Sequence, residues 1–180
     1  MRTLLLCSVL VGCAVASESS DLGLALDMAP GLRSTCDPGC HELTLKVIFD
    51  SGSGSFSRAQ FGFNQDGTLH LEAHSGGSAD CPTPTSPTPD RTLVLEGVPQ
   101  FSLADPLSQG LSAAFFDFKG DILGQNVLAS TKTVSLAPMY GNFAPRAQSE
   151  LAFSASITGF PQNGSASGNV FAVHCDSMDE

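Results

Sequence analysis

The chain has 180 residues, eight basic and eighteen acidic side chains and a formal net charge of −10 at pH 7. That length suits one domain with a substantial core and is too short for two comfortable ones, and a surface of this sign repels phosphate backbones, so nucleic acid is not an expected partner. Twelve Phe stand beside one Tyr, Tyr140, and no Trp; without the polar-edged rings that carbohydrate platforms use, a sugar-binding module is disfavoured and the Phe residues read as core.

At the N-terminus, Arg2 precedes the apolar run Leu4 to Gly12, far shorter than the ~20 residues needed to span a bilayer. A charged start followed by a short apolar run is an export signal rather than an anchor helix. Two cleavage points compete. Leu10-Val11-Gly12-Cys13 puts a small residue before a cysteine, and Ala14-Val15-Ala16 offers the A-x-A pattern that would release a chain beginning at Ser17. The first of these resembles the lipobox of bacterial lipoproteins. The resemblance implies a signal over 1–12, acylation of Cys13 as the first mature residue and a membrane contact through the lipid. Ala14, in place of the aspartate that retains such proteins at the inner membrane, implies an outer-membrane or surface location. Loss of Arg2 makes the mature chain one unit more negative than the whole. The acidic residues are scattered without a block of like sign and read as solubility.

Residues 13–35 are small and polar, with a weak apolar stretch at Leu22 to Leu26 and a break at Pro30, and read as a flexible tether. From His41 the apolar period is two: Leu43, Leu45, Val47 and Phe49 alternate with polar neighbours, and the stretch ends in the turn composition Asp50 to Ser55. Phe61 and Phe63 precede Asp66-Gly67, a hairpin signal. The return strand is Thr68 to Ser75, with Leu69, Leu71 and Ala73 on its inner face.

Gly76 to Arg91 holds Pro82, Pro84, Pro87 and Pro89. Prolines at that density remove backbone donors and fix an extended path, so this is a long connection and not a central strand. Further strands are expected at Thr92 to Val98, Leu111 to Lys119, Val127 to Leu136, Glu150 to Gly159 and Gly168 to Cys175. In the Leu111 segment, Phe116 and Phe118 fall on one face, assigned to the core, and Phe115 on the other. The Glu150 segment alternates most cleanly, with Leu151, Phe153, Ala155 and Ile157 inward. Pro161 to Gly164 turns the chain into the last strand, where Phe171, Val173 and Cys175 share a face. No sustained helical period occurs. The expectation is therefore an all-β single domain over 36–180, an antiparallel β-sandwich or flattened barrel of some seven to nine strands.

Four cysteines lie beyond the signal: Cys36, Cys40, Cys81 and Cys175. An even number in an exported chain implies two disulfides. Cys36 and Cys40 flank a Pro-Gly turn and favour a local pair, which leaves Cys81 with Cys175; the rival joins Cys36 or Cys40 to Cys175. A zinc site from Cys40-His41 and His174-Cys175 lacks the spacing of a paired C-x₂-C framework.

The sharpest constellation is His70, Glu72 and His74. A strand's period of two puts all three on one face, the donor set of a Zn, Fe or Cu site. The same alternation places them on the outer face, where water competes for a metal. Asp50 with Ser51 and Ser53, and Asp66-Gly67, lack calcium-loop spacing and read as turns. Asn163-Gly164-Ser165 fits a glycosylation sequon but also a turn. The sequence carries no G-x-S-x-G elbow, P-loop, dinucleotide fingerprint or H-E-x-x-H. The reading is a non-enzymatic cell-envelope protein with no cofactor, held by a lipid anchor and with an envelope protein as its candidate partner. The alternative is a secreted metal-binding or small-ligand-binding β module.

Overall fold

A computed structural model describes residues 40–99, 107–124, 126–140 and 150–180. The expected signal, Cys13, the tether and Cys36 lie outside the described residues. Ten strands are present: β1 (Lys46–Phe49), β2 (Gly52–Ser55), β3 (Arg58–Phe63), β4 (Thr68–Ser75), β5 (Arg91–Pro99), β6 (Ser112–Asp117), β7 (Leu128–Thr131), β8 (Thr133–Tyr140), β9 (Glu150–Phe160) and β10 (Gly164–His174). They form one curled, mixed sheet shaped as a half-barrel, so the chain is all-β as expected. Two separate antiparallel sheets are not what the strands make.

The reason lies in the connections. From β3 the chain runs as a meander in which each strand is antiparallel to the next: β3 with β4, β4 with β5, β5 with β6, β6 with β7, β8 with β9 and β9 with β10. Only Lys132 separates β7 from β8. One bent segment thus pairs with β6 through its first half and with β9 through its second. The meander therefore makes an odd number of passes, and its first and last strands run in the same direction. Where they meet, β10 and β3 pair in parallel, Val173 opposite Gln60. Ser165 to Ser167 on β10 take β1 as their antiparallel partner, and β1 carries β2 on its far side.

Two turns follow from their residues. At Asp66-Gly67 the hairpin forms as expected, with Gly67 at φ 85° and the Asp66 carboxylate accepting from the Thr68 N–H at 2.9 Å. Between β9 and β10, Gln162 and Asn163 both take positive φ, the requirement of a type I′ turn, and the Gly164 N–H closes it on the Pro161 carbonyl at 3.1 Å. The Asp50 to Ser55 turn is tighter than expected. It ends by Ser51, and Gly52–Ser55 pairs with β1.

The concave face holds the core. Leu45, Val47, Phe61, Leu69, Leu71, Leu93, Leu95, Phe115, Leu136, Phe153 and Ile157 are all essentially inaccessible. Phe115 lies at its centre, stacked on Phe49 at 5.4 Å and edge-on to Phe56 at 6.4 Å. This reverses the expected assignment on β6. Phe115 shares parity with Ala113 and Leu111 and points in, whereas Phe116 and Phe118 point out. The last strand is likewise shifted, with Val170 and Ala172 inward and Val173 largely exposed.

Asp117 ends the inward row of β6 and is buried. Its carboxylate accepts the N–H groups of Gly120 at 3.0 Å, Ile122 at 2.7 Å and Leu123 at 2.8 Å, which fixes the following loop and lets Ile122 and Leu123 enter the core. Arg91 lies 3.7 Å from it and also pairs with Asp121.

Candidate functional site

The outer face of β4 carries His70, Glu72 and His74, and the period-two expectation holds in full. Glu72 sits between the imidazoles, one oxygen 2.8 Å from His70 Nε2 and the other 3.1 Å from His74 Nε2. Hydrogen bonding from His70, then from His74, holds the Glu72 carboxyl down to about 2, outweighing its burial. The same bond raises His70 above its ordinary value. His74 Nδ1 lies 3.1 Å from the Thr92 hydroxyl on β5, so a His-carboxylate-His chain ends on a threonine. Both Nε2 atoms are turned to separate oxygens of one carboxylate rather than to a common point. As arranged, the trio is a hydrogen-bonded relay in which each imidazole holds its own carboxylate oxygen.

Water does not bathe this face as the alternation alone suggests. His74, Thr92, Gln60 and Val94 are all buried although they point outward. Their cover is the Pro-rich connection, which folds back over β3 to β6. Four links hold it. The Cys81–Cys175 disulfide ties it to the end of β10, the Asp90 N–H donates to the Ser75 carbonyl at 2.7 Å, the Lys119 N–H donates to the Asp90 carbonyl at 3.0 Å, and Arg58 Nη1 donates to the Gly76 carbonyl at 2.7 Å. Within the connection, the Thr83 N–H donates to Ser86 Oγ at 2.9 Å and rounds the chain into a compact turn. Of the two rival cysteine schemes, the pair Cys81–Cys175 is the one that forms, and Cys40 is disulfide-bonded as well.

Between loop and sheet remains a cleft of about 340 Å³. Its floor comes from Arg58 and Gln60 on β3, Glu72 and His74 on β4, and Thr92 and Val94 on β5; Phe116 and Phe118 form one wall. Sequence reasoning picked out the β4 residues and missed the rest. Their parity was the available signal, since Ala59, Phe61 and Phe63 point inward and leave Arg58 and Gln60 on the same face as His74.

A second polar group gathers at the end of the chain. His174, Asp176 and Asp179 bring their ligand-type atoms within 4.8 Å of one another. His174 Nε2 is 2.9 Å from Asp179, whose carboxylate also accepts the Phe63 N–H at 2.8 Å. The group fastens the terminal turn Asp176–Met178 onto β3, where a Cβ on Gly62 would stand 2.2 Å from the Met178 carbonyl oxygen. The geometry is that of a clamp.

Among the described residues no helix is long and apolar enough to cross a membrane. Comparison with known protein families, with characterised proteins and with solved structures finds no match for this chain.

Proposed function

We propose that this protein is an exported, lipid-anchored, non-enzymatic domain of the bacterial cell envelope, presented at the membrane surface for interaction. The observation that carries the reading is the Cys81–Cys175 disulfide, with Cys40 also bonded. Disulfides of this kind persist in oxidising compartments outside the cytoplasm, which supports the reading of residues 1–12 as an export signal. Once the chain is exported, the lipobox-like Leu10 to Cys13 supplies the anchor and residues 13–35 the reach. An interaction role draws support from the outer surface, where Phe118, just past the end of β6, and Val127 and Leu128, at the start of the paired β7, expose apolar side chains. We read the curled sheet as a flattened barrel closed through the bent β7–β8 segment, a rigid body suited to display.

Intact mass of the protein recovered from membranes tests the reading. An acylated N-terminus at Cys13 is the expected result. A soluble chain beginning at Ser17 overturns the anchor and leaves a secreted module in its place.

A further inference from the structure

The cleft under the Pro-rich connection holds polar groups that find no hydrogen-bond partner among the described residues. Gln60 is only 6% exposed, lines the cleft, and makes no side-chain hydrogen bond to any described residue. Arg58 lies one residue pair away on the same face. Its Nη1 is committed to the Gly76 carbonyl, while its Nε is withdrawn from water without a hydrogen-bond partner. Nη2, on the same edge of the guanidinium as Nε, has no hydrogen bond to any described residue either. No described carboxylate forms an ion pair with Arg58, and burial depresses its pKa. The nearby Glu72 offers no relief, because each of its oxygens is taken by an imidazole.

An Arg58 Nη2 that no described residue engages, beside the equally unengaged amide of Gln60, is a donor set that a carboxylate fits, one oxygen to each. The remaining wall defines the rest of the ligand. Phe116 and Phe118 stack at 5.7 Å with their planes 8° apart, and Phe118 is about half exposed. The rings of Pro82, Pro87 and Pro89 add apolar surface from the loop, alongside polar residues that include Asp80. The cleft's volume is at the lower end of small-molecule sites.

We propose that this cleft binds a small monocarboxylate with a flat apolar body, its carboxylate on Arg58 and Gln60 and its body against Phe116 and Phe118. The site stands on the cleft alone and does not depend on the lipid anchor, so a chain released at Ser17 would still carry it.

The probe is 2-naphthoate, followed by its own fluorescence, which a chain without Trp does not obscure. The full-length exported protein is titrated with 2-naphthoate and separately with neutral 2-naphthamide. The acid should bind at least about tenfold more tightly than the amide, as a charge-assisted pair gives. Arg58→Gln should abolish that preference. Phe118→Ala, at an exposed position that leaves the fold intact, should weaken both ligands about fivefold and keep the preference. Equal binding of acid and amide to the unaltered protein would overturn the proposal, as would a preference that survives Arg58→Gln, or no saturable binding of either ligand at millimolar concentration.

Discussion

The inner and outer faces of β4 are kept from water to different degrees and by different means. Inward, Leu69, Leu71 and Ala73 lie against Phe61, Phe115 and the rest of a continuous apolar cluster, and the burial of that surface is its own driving force. Outward, His70, Glu72 and His74 satisfy one another, and Glu72 and His74 lie under a loop whose prolines supply few donors, held to the domain at one point by a covalent bond. One face is closed by its composition and the other by a crosslink. The inner face should therefore answer to side-chain volume, and the outer face to pH and redox state.

The largest break in that comparison should come from Phe115→Ala. Removing a ring from the centre of the cluster is expected to cost about 3–5 kcal/mol, read as a lower midpoint of denaturant unfolding. A loss under about 1 kcal/mol would show that the inner face tolerates voids as loosely packed surfaces do. Next, the double change Cys81→Ser and Cys175→Ser opens a crosslink with a sequence separation of 94, at a cost of about 2–4 kcal/mol. Hydrogen exchange should then rise at Thr92 and His74 while Leu71 and Leu93 stay protected relative to them. Uniform loss of protection would mean that roof and core are a single cooperative unit.

Glu72→Gln should cost about 2 kcal/mol near pH 5.5 by removing the acceptor shared by two imidazoles. The lowered Glu72 pKa contributes stability that is present above its unfolded value of 4.5 and is lost as the pH falls toward about 2. The raised pKa of His70 contributes stability that is present below its unfolded value of 6.5 and is lost as the pH rises through the higher folded value. The relay is thus worth most between pH 4.5 and 6.5. Thermal melts of the unaltered protein should peak in that window and those of the variant should not; parallel pH profiles would dismiss the relay as a stabilising element. The smallest effect is expected at Phe118→Ala, under about 0.5 kcal/mol in unfolding, because half of the ring already faces water. A larger loss would place Phe118 in the fold and not in the wall of a binding cleft.

Much of the inner face was legible in the sequence. The alternation from Leu45 to Phe49, the strand Thr68–Ser75 and the inward row Leu151, Phe153, Ala155 and Ile157 appear as read, because a half-buried strand writes its parity into its residues. The failures share a cause. On β6 two Phe outvote one by count, yet Phe115 belongs to the row of Ala113 and Asp117, and an inward row that ends on a buried Asp is invisible unless its three backbone donors are known. On the outer face, parity places His70, Glu72 and His74 correctly but cannot tell that a segment beginning at Gly76 returns over Glu72 and His74. The roof depends on Cys175, just past β10 and far away in sequence. Two sheets against one was equally hidden, since it rests on whether Lys132 ends a strand or merely bends it.

That bend has a kinetic consequence. Hairpins between successive strands of the meander join residues close in sequence and can form quickly, but the parallel contact of Gln60 with Val173 brings together the ends of nearly the whole domain and bears the loop-closure entropy of all that lies between. Cys81 and Cys175 are bonded beside that seam. In the oxidised chain most of the closure is already made before folding starts, so the seam that forms last in a reduced chain becomes a local contact. A protein that crosses a membrane unfolded and is oxidised on arrival would acquire its tertiary closure and its covalent crosslink in the same compartment.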